Sequence, residues 1–148
     1  MRSSVILLSA FIVAGCQQPA AEPDLAPRVS INPADGRPYS QAVQVGDTYW
    51  FSGKIGVTPE TQGMPEGRAA AETRNIMESF GQLFSELGMD FGDVVQGTVY
   101  LVDIADYQGM NEVYGEYFPS DAPARETVAV KDLVAGAAVE ISFVAVKR

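Results

Sequence analysis

The chain has 148 residues, enough for one domain and a short additional segment, and its 47% hydrophobic content is that of an ordinary globular protein. Its formal charge of -9 disfavours binding to nucleic-acid phosphates and to anionic lipid surfaces. Because it has no histidine and a single cysteine, an internal disulfide and a cysteine-rich metal site are excluded and a transition-metal cofactor is disfavoured, whereas carboxylate sites for Mg²⁺ or Ca²⁺ stay open.

The start of the chain has the pattern of a secretory signal. One positive residue, Arg2, precedes an apolar run over residues 5–14. That run is shorter than the roughly 20 residues that a membrane-spanning helix needs. We therefore predict a signal peptide over residues 1–15. Its removal would take Arg2 with it and leave 9 basic against 19 acidic residues, a charge of -10.

The single cysteine stands at the end of this segment. The sequence Val13-Ala14-Gly15-Cys16 resembles the lipobox of bacterial lipoproteins, whose cysteine is lipidated and becomes the first residue of the mature protein. We therefore predict a lipid anchor on Cys16 as the only membrane attachment; an exported protein with an incidental cysteine is the alternative. Because Gln17 is not the aspartate of an inner-membrane retention signal, we expect the periplasmic side of the outer membrane in a Gram-negative host.

A polar segment rich in proline and alanine follows the cysteine. Residues 17–27 (QQPAAEPDLAP) show no hydrophobic periodicity, which predicts a flexible, semi-extended tether over residues 16–27. Such a segment reaches at most about 35 Å. The folded domain, which we place at residues 28–148, can therefore stand clear of a bilayer.

The first part of this domain is rich in strand and turn residues. Strands are predicted over residues 29–31, 39–45 and 48–55, because these segments are rich in β-branched and aromatic residues. A turn with two prolines and a glycine separates the first two, and Gly46-Asp47 predicts a hairpin between the second and the third.

A helix is predicted over residues 68–87, and Gly88 is expected to end it. Its apolar positions recur at helical spacing and fall on one face, which we interpret as core packing. These positions are Ile76, Met77, Phe80, Leu83, Phe84 and Leu87.

A strand over residues 93–104 and a second helix over residues 107–118 follow. Asp103 or Asp106 is expected to cap this helix, and Pro119 to end it. We interpret both aspartates as caps and not as ligands.

The last two predicted strands each carry one ionisable residue in apolar sequence. Arg125 opens the strand that follows a proline-bearing turn, and Glu140 interrupts the apolar run over residues 139–146. In a chain without histidine these two are the best candidates for chemistry. The guanidinium of Arg125 suits a carboxylate, and Glu140 could orient or activate a water. The alternatives are a surface ion pair for Arg125 and a structural pairing of Glu140 with a lysine or with Arg125.

The order of predicted elements is β-β-β-α-β-α-β-β. This order predicts an α+β domain in which two helices cover one face of a mixed sheet of about six strands. The last strand, however, is apolar on both faces near its end, so the second face also needs cover. We therefore predict that the protein is an oligomer of this chain.

Five short segments resemble the RidA (YjgF) family in the same order over residues 29–148. Each segment alone is a weak signal, and their succession over nearly the whole domain makes the resemblance specific. They are Gly36-Arg37-Pro38-Tyr39-Ser40-Gln41-Ala42, Phe51-Ser52-Gly53, Asp103-Ile104-Ala105-Asp106-Tyr107 leading to Asn111, Tyr114 and Phe118, Pro123-Ala124-Arg125, and Val139-Glu140-Ile141.

The resemblance implies a chorismate-mutase-like fold and a homotrimer whose sheets form a central barrel, with ligand clefts between subunits. Members of the family hydrolyse reactive 2-imino and enamine acids to 2-oxo acids and ammonia, and they need no metal or organic cofactor. The resemblance thus implies a small, carboxylate-bearing imine as the substrate. Together with the negative charge of the chain, it predicts no nucleic-acid partner.

The resemblance also assigns roles to individual residues. Arg125 matches the arginine that holds the substrate carboxylate, and Glu140 the glutamate associated with the attacking water. We therefore predict that these two, on neighbouring strands, face one pocket at a subunit boundary. Further substrate-binding positions are Tyr39 and Asn111, which line the cleft, Ser52 and Gly53, which close around the ligand, and Thr127, which stands where many members carry cysteine.

Structural roles are the alternatives for several of these positions. Tyr39 could be a core or edge tyrosine, Asn111 could satisfy a loop carbonyl, and Ser52-Gly53 could mark a close backbone approach. Trp50 is interpreted as a core or subunit-interface residue.

Besides Thr127, one departure from the family pattern matters more. Glu126 follows Arg125 where the family prefers a small or apolar residue. Strand alternation predicts that its side chain points away from that of Arg125. Bent inward, it would neutralise the arginine and repel an anionic substrate.

Three other functions stay open from the sequence. A non-catalytic trimer that binds small carboxylates at the cell envelope is favoured by the exported location. A ribonuclease or translation inhibitor, reported for some relatives, is disfavoured by the negative charge. A purely structural trimer is the third.

Overall fold

The computed structural model describes residues 25–33, 36–58 and 61–148. The predicted signal peptide (1–15), Cys16 and the tether up to residue 24 lie outside the described residues. Within the described part, no helix is both long enough and apolar enough to cross a membrane. The regular elements there are, in chain order, β1 (Arg28–Pro33), β2 (Ser40–Val45), β3 (Thr48–Phe51), β4 (Lys54–Ile55), α1 (Arg68–Glu86), β5 (Val94–Leu101), α2 (Tyr107–Glu116), β6 (Ala124–Ala129) and β7 (Val139–Val146).

These strands form a single mixed sheet in the order β1-β2-β3-β7-β5-β6, with β4 also paired to β7. The pairing between β5 and β6 is parallel, and the other pairings are antiparallel. Parallel neighbours need a crossover connection, and α2 supplies it between β5 and β6. The predicted α+β architecture with two helices and a mixed sheet is thus confirmed.

The strand predicted over residues 48–55 is interrupted, so the sheet has seven described strands where about six were predicted. Trp50 pairs with Val144 and Lys54 with Ile141, so this side advances by four residues while β7 advances by three. The additional residue falls at Ser52-Gly53, where the Ser52 hydroxyl donates to the Ser40 carbonyl at 2.7 Å. The interruption places this dipeptide beside β7 as an irregular segment.

Both helices end close to their predicted limits. In α1 the predicted apolar stripe is buried, except that Leu87, just past the helix, is half-buried; Gly88 follows at φ 66°, a conformation that favours glycine. A 3₁₀ turn (Ile104–Asp106) precedes α2, and the Asp103 carboxylate caps that turn by accepting from the Ala105 N–H at 2.9 Å. Asp106 makes no capping bond and instead pairs with Arg68 at 3.4 Å.

The core lies between the helices and one face of the sheet. Phe143 of β7 packs against Phe80 of α1 with ring centroids 4.7 Å apart and against Tyr114 of α2 at 6.3 Å, so both helices cover the same face. The strand residues of this face alternate with those of the other. They include Ala42, Tyr49, Phe51, Val99, Leu101, Val139, Ile141, Phe143 and Ala145.

The opposite face of the sheet has an apolar part beside its polar residues, and no described helix covers it. Trp50 and Val128 are each 47% exposed there, and Val144 and Val146 lie on the same side of β7. The prediction that the last strand is apolar on both faces near its end is therefore confirmed, and Trp50 is not a core residue of the single chain. Association of copies through this face stays a prediction.

A buried carboxylate fixes the start of β7. Glu72 of α1 is 2% exposed and accepts from the backbone N–H groups of Ala138 at 2.8 Å and Val139 at 3.2 Å. Gly56 lies so close that a Cβ there would overlap the Glu72 backbone. These two bonds connect α1 to the segment that immediately precedes Glu140.

Candidate active site

Arg125 is held by residues of α2. Its Nη2 donates to Asn111 Oδ1 at 2.6 Å and to the Tyr107 hydroxyl at 3.2 Å. Its Cζ lies 4.6 Å from the centroid of the Tyr114 ring and 5.8 Å from that of Tyr107, which are cation–π distances. We call these four residues the arginine cluster. No described carboxylate forms a salt bridge with Arg125, so the surface ion pair considered above is not found.

The Tyr114 ring, which packs against the guanidinium of Arg125, can lie there because residue 97 is a glycine. Arg125 pairs with Gly97 of β5, and a Cβ on Gly97 would lie 2.8 Å from the Tyr114 hydroxyl and 3.1 Å from the Phe143 ring. Burial raises the pKa of Tyr114 to about 12, although the nearby positive charge of Arg125 acts to lower it. Tyr114 therefore stays neutral at physiological pH and does not compensate the arginine.

The two residues after Arg125 alternate as expected. Glu126 is exposed and pairs with Thr98 on the sheet face away from the helices, so its side chain points away from Arg125, as predicted. Thr127 pairs with Val99 on the same face as Arg125. Its hydroxyl is buried and has no hydrogen-bond partner among the described protein atoms.

Glu140 lies in a separate cavity of about 450 Å³. Its carboxylate packs against the backbone of Gly53, where a Cβ would overlap it. Among the described residues, no side chain forms a salt bridge with Glu140, so the alternative of a structural pairing with a lysine or with Arg125 is not found. We call this space the glutamate cavity; it is lined by Arg37, Tyr39, Gln41, Ser52, Gly53, Lys54, Ile55, Val57, Ser79, Val134 and Glu140.

Two cations also line the glutamate cavity. Arg37 donates to the Tyr39 hydroxyl at 2.8 Å, and Lys54 donates to the Ser79 hydroxyl at 2.8 Å. Burial lowers the pKa of Lys54, an effect that the negative charge of Glu86 partly opposes. The cavity therefore combines one carboxylate with two cations, and the carboxylate is free to engage a ligand.

A single chain does not bring Arg125 and Glu140 together. The prediction that they lie on neighbouring strands is wrong, because β5 lies between β6 and β7. Arg125 shares the helix-covered face with Gly97, whereas Glu140 pairs with Tyr100 on the opposite face. Of the predicted site residues, Tyr39, Ser52 and Gly53 accompany Glu140 in the glutamate cavity, and Asn111 and Thr127 lie on the side of Arg125.

Sequence reasoning missed several residues that the structure places at these sites. Tyr107 and Tyr114 flank Asn111 at helical spacing, so an amphipathic reading of α2 from Asn111 could have found them. Gly97 and Lys54 carried no local signal, because their positions depend on strand pairing across the sheet. Arg37 lies two residues before Tyr39 in a segment that carries the family resemblance, but that segment gave it no role. Among the described residues, no group of three or more acidic or cysteine side chains is placed to hold a metal ion.

The chain is similar to known proteins over most of its length. A family model described as Endoribonuclease L-PSP matches residues 30–147. Protein DfrA of Myxococcus xanthus is 43% identical over 111 residues, which cover 74% of this chain and 85% of that protein. A 2-iminobutanoate/2-iminopropanoate deaminase of Homo sapiens is 40% identical over 110 residues, which cover 74% and 80%.

The fold is also found among solved structures. The crystal structure of the YjgF gene product of E. coli matches with a TM-score of 0.71 at 33% identity, covering 78% of this chain and 93% of that one. Residues 30–147, which the family model matches, include both helices and the strands that carry the arginine cluster and the glutamate cavity.

Proposed function

This chain belongs to the Endoribonuclease L-PSP (RidA/YjgF) family, and we propose that it hydrolyses reactive 2-imino and enamine acids to 2-oxo acids and ammonia. The held but uncompensated guanidinium of Arg125 is the observation that carries this proposal. The name of the human relative, a 2-iminobutanoate/2-iminopropanoate deaminase, supports the substrate class.

Arg125 binds the substrate carboxylate in this proposal. Asn111 and Tyr107 occupy its Nη2, and no described residue accepts a hydrogen bond from its Nε or Nη1. A ligand carboxylate can take up these donors. Because the guanidinium is already oriented by α2, little conformational entropy is lost when the substrate binds.

Glu140 orients the attacking water. The water adds to the C=N carbon, the imine nitrogen gains a proton, and the resulting carbinolamine expels ammonia as the carbonyl forms. Free imines hydrolyse readily in water, so positioning of the two reactants supplies most of the acceleration that is needed. No metal or organic cofactor takes part.

The complete site is composed of two copies of the chain. The apolar, uncovered face of the sheet supports association, and the predicted homotrimer gives each glutamate cavity an arginine cluster from a neighbouring copy. Tyr39, Ser52 and Gly53 then close one side of the ligand, and Asn111 and Thr127 the other. Sedimentation of the purified protein should give three times the mass of one chain, and a monomer would contradict this arrangement.

The reaction is tested by release of 2-oxo acid from an imine made in situ by an amino-acid oxidase. Competition with semicarbazide, which traps the free imine, measures the enzymatic rate. Replacing Arg125→Ala removes a charge-assisted contact worth about 2 kcal/mol or more, so kcat/KM should fall at least about thirtyfold. An unchanged rate in that variant would defeat the assignment.

Mixing of two inactive variants tests whether the site is shared. Arg125→Ala and Glu140→Ala chains, unfolded together and refolded, should regain about a quarter of wild-type activity, because each site then draws both intact residues in one case of four. Each variant refolded alone is the control. A mixture as inactive as its components would show that both residues come from one chain.

A non-catalytic carboxylate binder is the other candidate for the same site. Thermal stabilisation by small carboxylates without any imine turnover would favour it. RNA binding is not expected at this net charge, and salt-dependent binding of RNA would revive the ribonuclease alternative.

We further propose that the protein is an exported lipoprotein anchored through Cys16. The lipobox-like sequence and the tether after it support this location. Labelled palmitate should enter the wild-type chain in a bacterial host and not the Cys16→Ala variant. Equal partition of both into the soluble fraction would contradict the anchor.

A further inference from the structure

In this acidic chain, some cationic side chains form salt bridges with carboxylates and others do not. Arg68, Arg74 and Arg148 each form a salt bridge with a carboxylate. Among the described residues, neither Arg37 nor Lys54 has such a partner, and both line the glutamate cavity. Lys54 is the half-buried one of the two, whereas the remaining lysines are exposed.

Contacts with Ser79 and Phe80 fix the position of the Lys54 ammonium group. Its Nζ donates to the Ser79 hydroxyl at 2.8 Å and lies 5.2 Å from the centroid of the Phe80 ring. An ammonium has three N–H groups, so two stay available. The Ser79 hydroxyl accepts from Lys54 and can donate its own proton to an anion. Together they provide the charge and the donors that a carboxylate needs.

The acids near Lys54 do not satisfy it. Glu86 is the acid whose charge acts on Lys54, and it lines the neighbouring depression without forming a salt bridge. Glu140 shares the cavity but forms no ion pair with Lys54. A half-buried cation without a counter-ion carries a desolvation cost that an anionic ligand would relieve.

The walls of the cavity suit the carbon chain of such a ligand. Ile55, Val57 and Val134 supply apolar surface beside the polar groups. The methylene groups of a ligand side chain can pack against this surface, with the reacting carbon at Glu140 and a second carboxylate at Lys54. Arg37, exposed and bound to Tyr39, adds positive charge to the same cavity.

We propose that Lys54, with Ser79 and Arg37, forms a subsite for a second carboxylate and makes 2-imino dicarboxylic acids the preferred substrates. This inference rests on the proposed function: Arg125 binds the carboxylate next to the imine, and Lys54 binds the one at the end of the side chain. Lys54 acts as a specificity-determining residue.

The test compares two imines on one enzyme preparation. D-Aspartate oxidase acting on D-glutamate supplies the acidic imine, and D-amino-acid oxidase acting on D-alanine supplies the neutral one. The wild type should show the higher kcat/KM with the acidic imine. Lys54→Gln should lower the acidic-to-neutral ratio of kcat/KM about tenfold, because a charge-assisted hydrogen bond is lost. Lys54→Arg, which keeps the charge, should retain the preference.

Lys131→Gln is the matched control, because Lys131 is exposed and does not line the cavity. This substitution changes the net charge by the same amount as Lys54→Gln. Its ratio should equal that of the wild type. A Lys54→Gln ratio equal to the wild-type ratio, with both imines hydrolysed, would overturn the subsite and leave the proposed function standing. Arg37→Gln should also lower the acidic-to-neutral ratio of kcat/KM, and it replaces Lys54→Gln in the test if that variant does not fold.

A binding measurement separates failure of the subsite from failure of the reaction. If the wild type hydrolyses neither imine, the proposed function fails, and calorimetric titration with 2-oxoglutarate and 2-oxobutanoate decides on the subsite. Tighter binding of 2-oxoglutarate that is lost in Lys54→Gln supports it. Equal affinity for the two oxo acids, or a preference that Lys54→Gln retains, overturns it.

Discussion

The guanidinium of Arg125 lies 4.6 Å from the centre of the Tyr114 ring, and the hydroxyl of that ring has no hydrogen-bond partner among the described protein atoms. The tyrosine thus contributes its ring, not its hydroxyl, to the arginine cluster. The ring of Tyr114 makes a cation–π contact with Arg125, whereas its hydroxyl is buried without a hydrogen bond to any described protein atom.

Tyr114→Phe should leave turnover within about twofold of wild type and should not lower the free energy of unfolding, because the hydroxyl it removes is unpaired. Tyr114→Leu removes the ring beneath the cation and should raise KM more than it lowers kcat. Steady-state kinetics and urea unfolding measure both effects. A large loss of activity in Tyr114→Phe would show that the hydroxyl contacts the ligand.

The same residue predicts a dependence of stability on alkaline pH. The pKa of Tyr114 is raised to about 12 in the folded protein, so the folded state keeps a proton that the unfolded chain loses near pH 10. Its contribution to stability is complete below the unfolded pKa and is lost as pH rises through the folded one; between about pH 9 and about pH 11 the loss is about 1 kcal/mol. Urea unfolding at these pH values should show a smaller decline in Tyr114→Phe, and equal declines would contradict the assignment.

Gly97→Ala should destabilise the protein by about 1 to 3 kcal/mol, because its Cβ would lie 2.8 Å from the Tyr114 hydroxyl and 3.1 Å from the Phe143 ring. Adding Tyr114→Phe removes the first contact and should restore part of the loss. Thermal unfolding of both single variants and the double variant gives the coupling. Additive effects would mean that the hydroxyl is not the obstacle.

Gly53→Ala should affect turnover more than stability. The new Cβ would overlap the end of the Glu140 side chain, which can move away at small cost to the fold but then no longer holds its position. We expect kcat/KM to fall about tenfold or more, with a change in unfolding free energy below about 1 kcal/mol. Gly115→Ala is the control, because a Cβ there meets nothing within 4 Å. Equal activities in the two variants would argue against a role for the Glu140 position.

Glu72→Ala should cost about 2 to 4 kcal/mol, since it leaves the buried N–H groups of Ala138 and Val139 without an acceptor. Glu72→Gln keeps an acceptor oxygen and should lose distinctly less. Glu78→Ala, an exposed position on the same helix, should stay within about 0.5 kcal/mol of wild type. Urea unfolding distinguishes these outcomes, and equal losses in the Gln and Ala variants would contradict the acceptor role.

Local periodicity, residue type and turn residues were enough to predict both helices and most of the strands. The apolar stripe of α1 and the alternation of the strands record which side chains face the core, so both appear in the sequence. The position of Glu126 followed from the same alternation. The interruption at Ser52-Gly53 did not, because the Ser40 and Gln41 carbonyls that bind Ser52 belong to another strand.

The sequence did not predict the order of the strands, and so it did not predict how the candidate site is divided. Consecutive strands suggested that Arg125 and Glu140 were neighbours, but β5 enters the sheet between them through a parallel pairing. Lys54 reaches the glutamate cavity for a similarly non-local reason, since its place is determined by pairing with Ile141. Such relations between distant segments leave no periodic signal in the chain.

The proposed association through the uncovered sheet face would make the stability of the native fold depend on protein concentration. In the proposed oligomer, the surface that carries Trp50, Val128 and Val146 would be shielded from water, and folding would be coupled to association. The melting temperature should consequently climb as more protein is added. A tether that confines many copies to one membrane surface would raise their local abundance and so protect each of them.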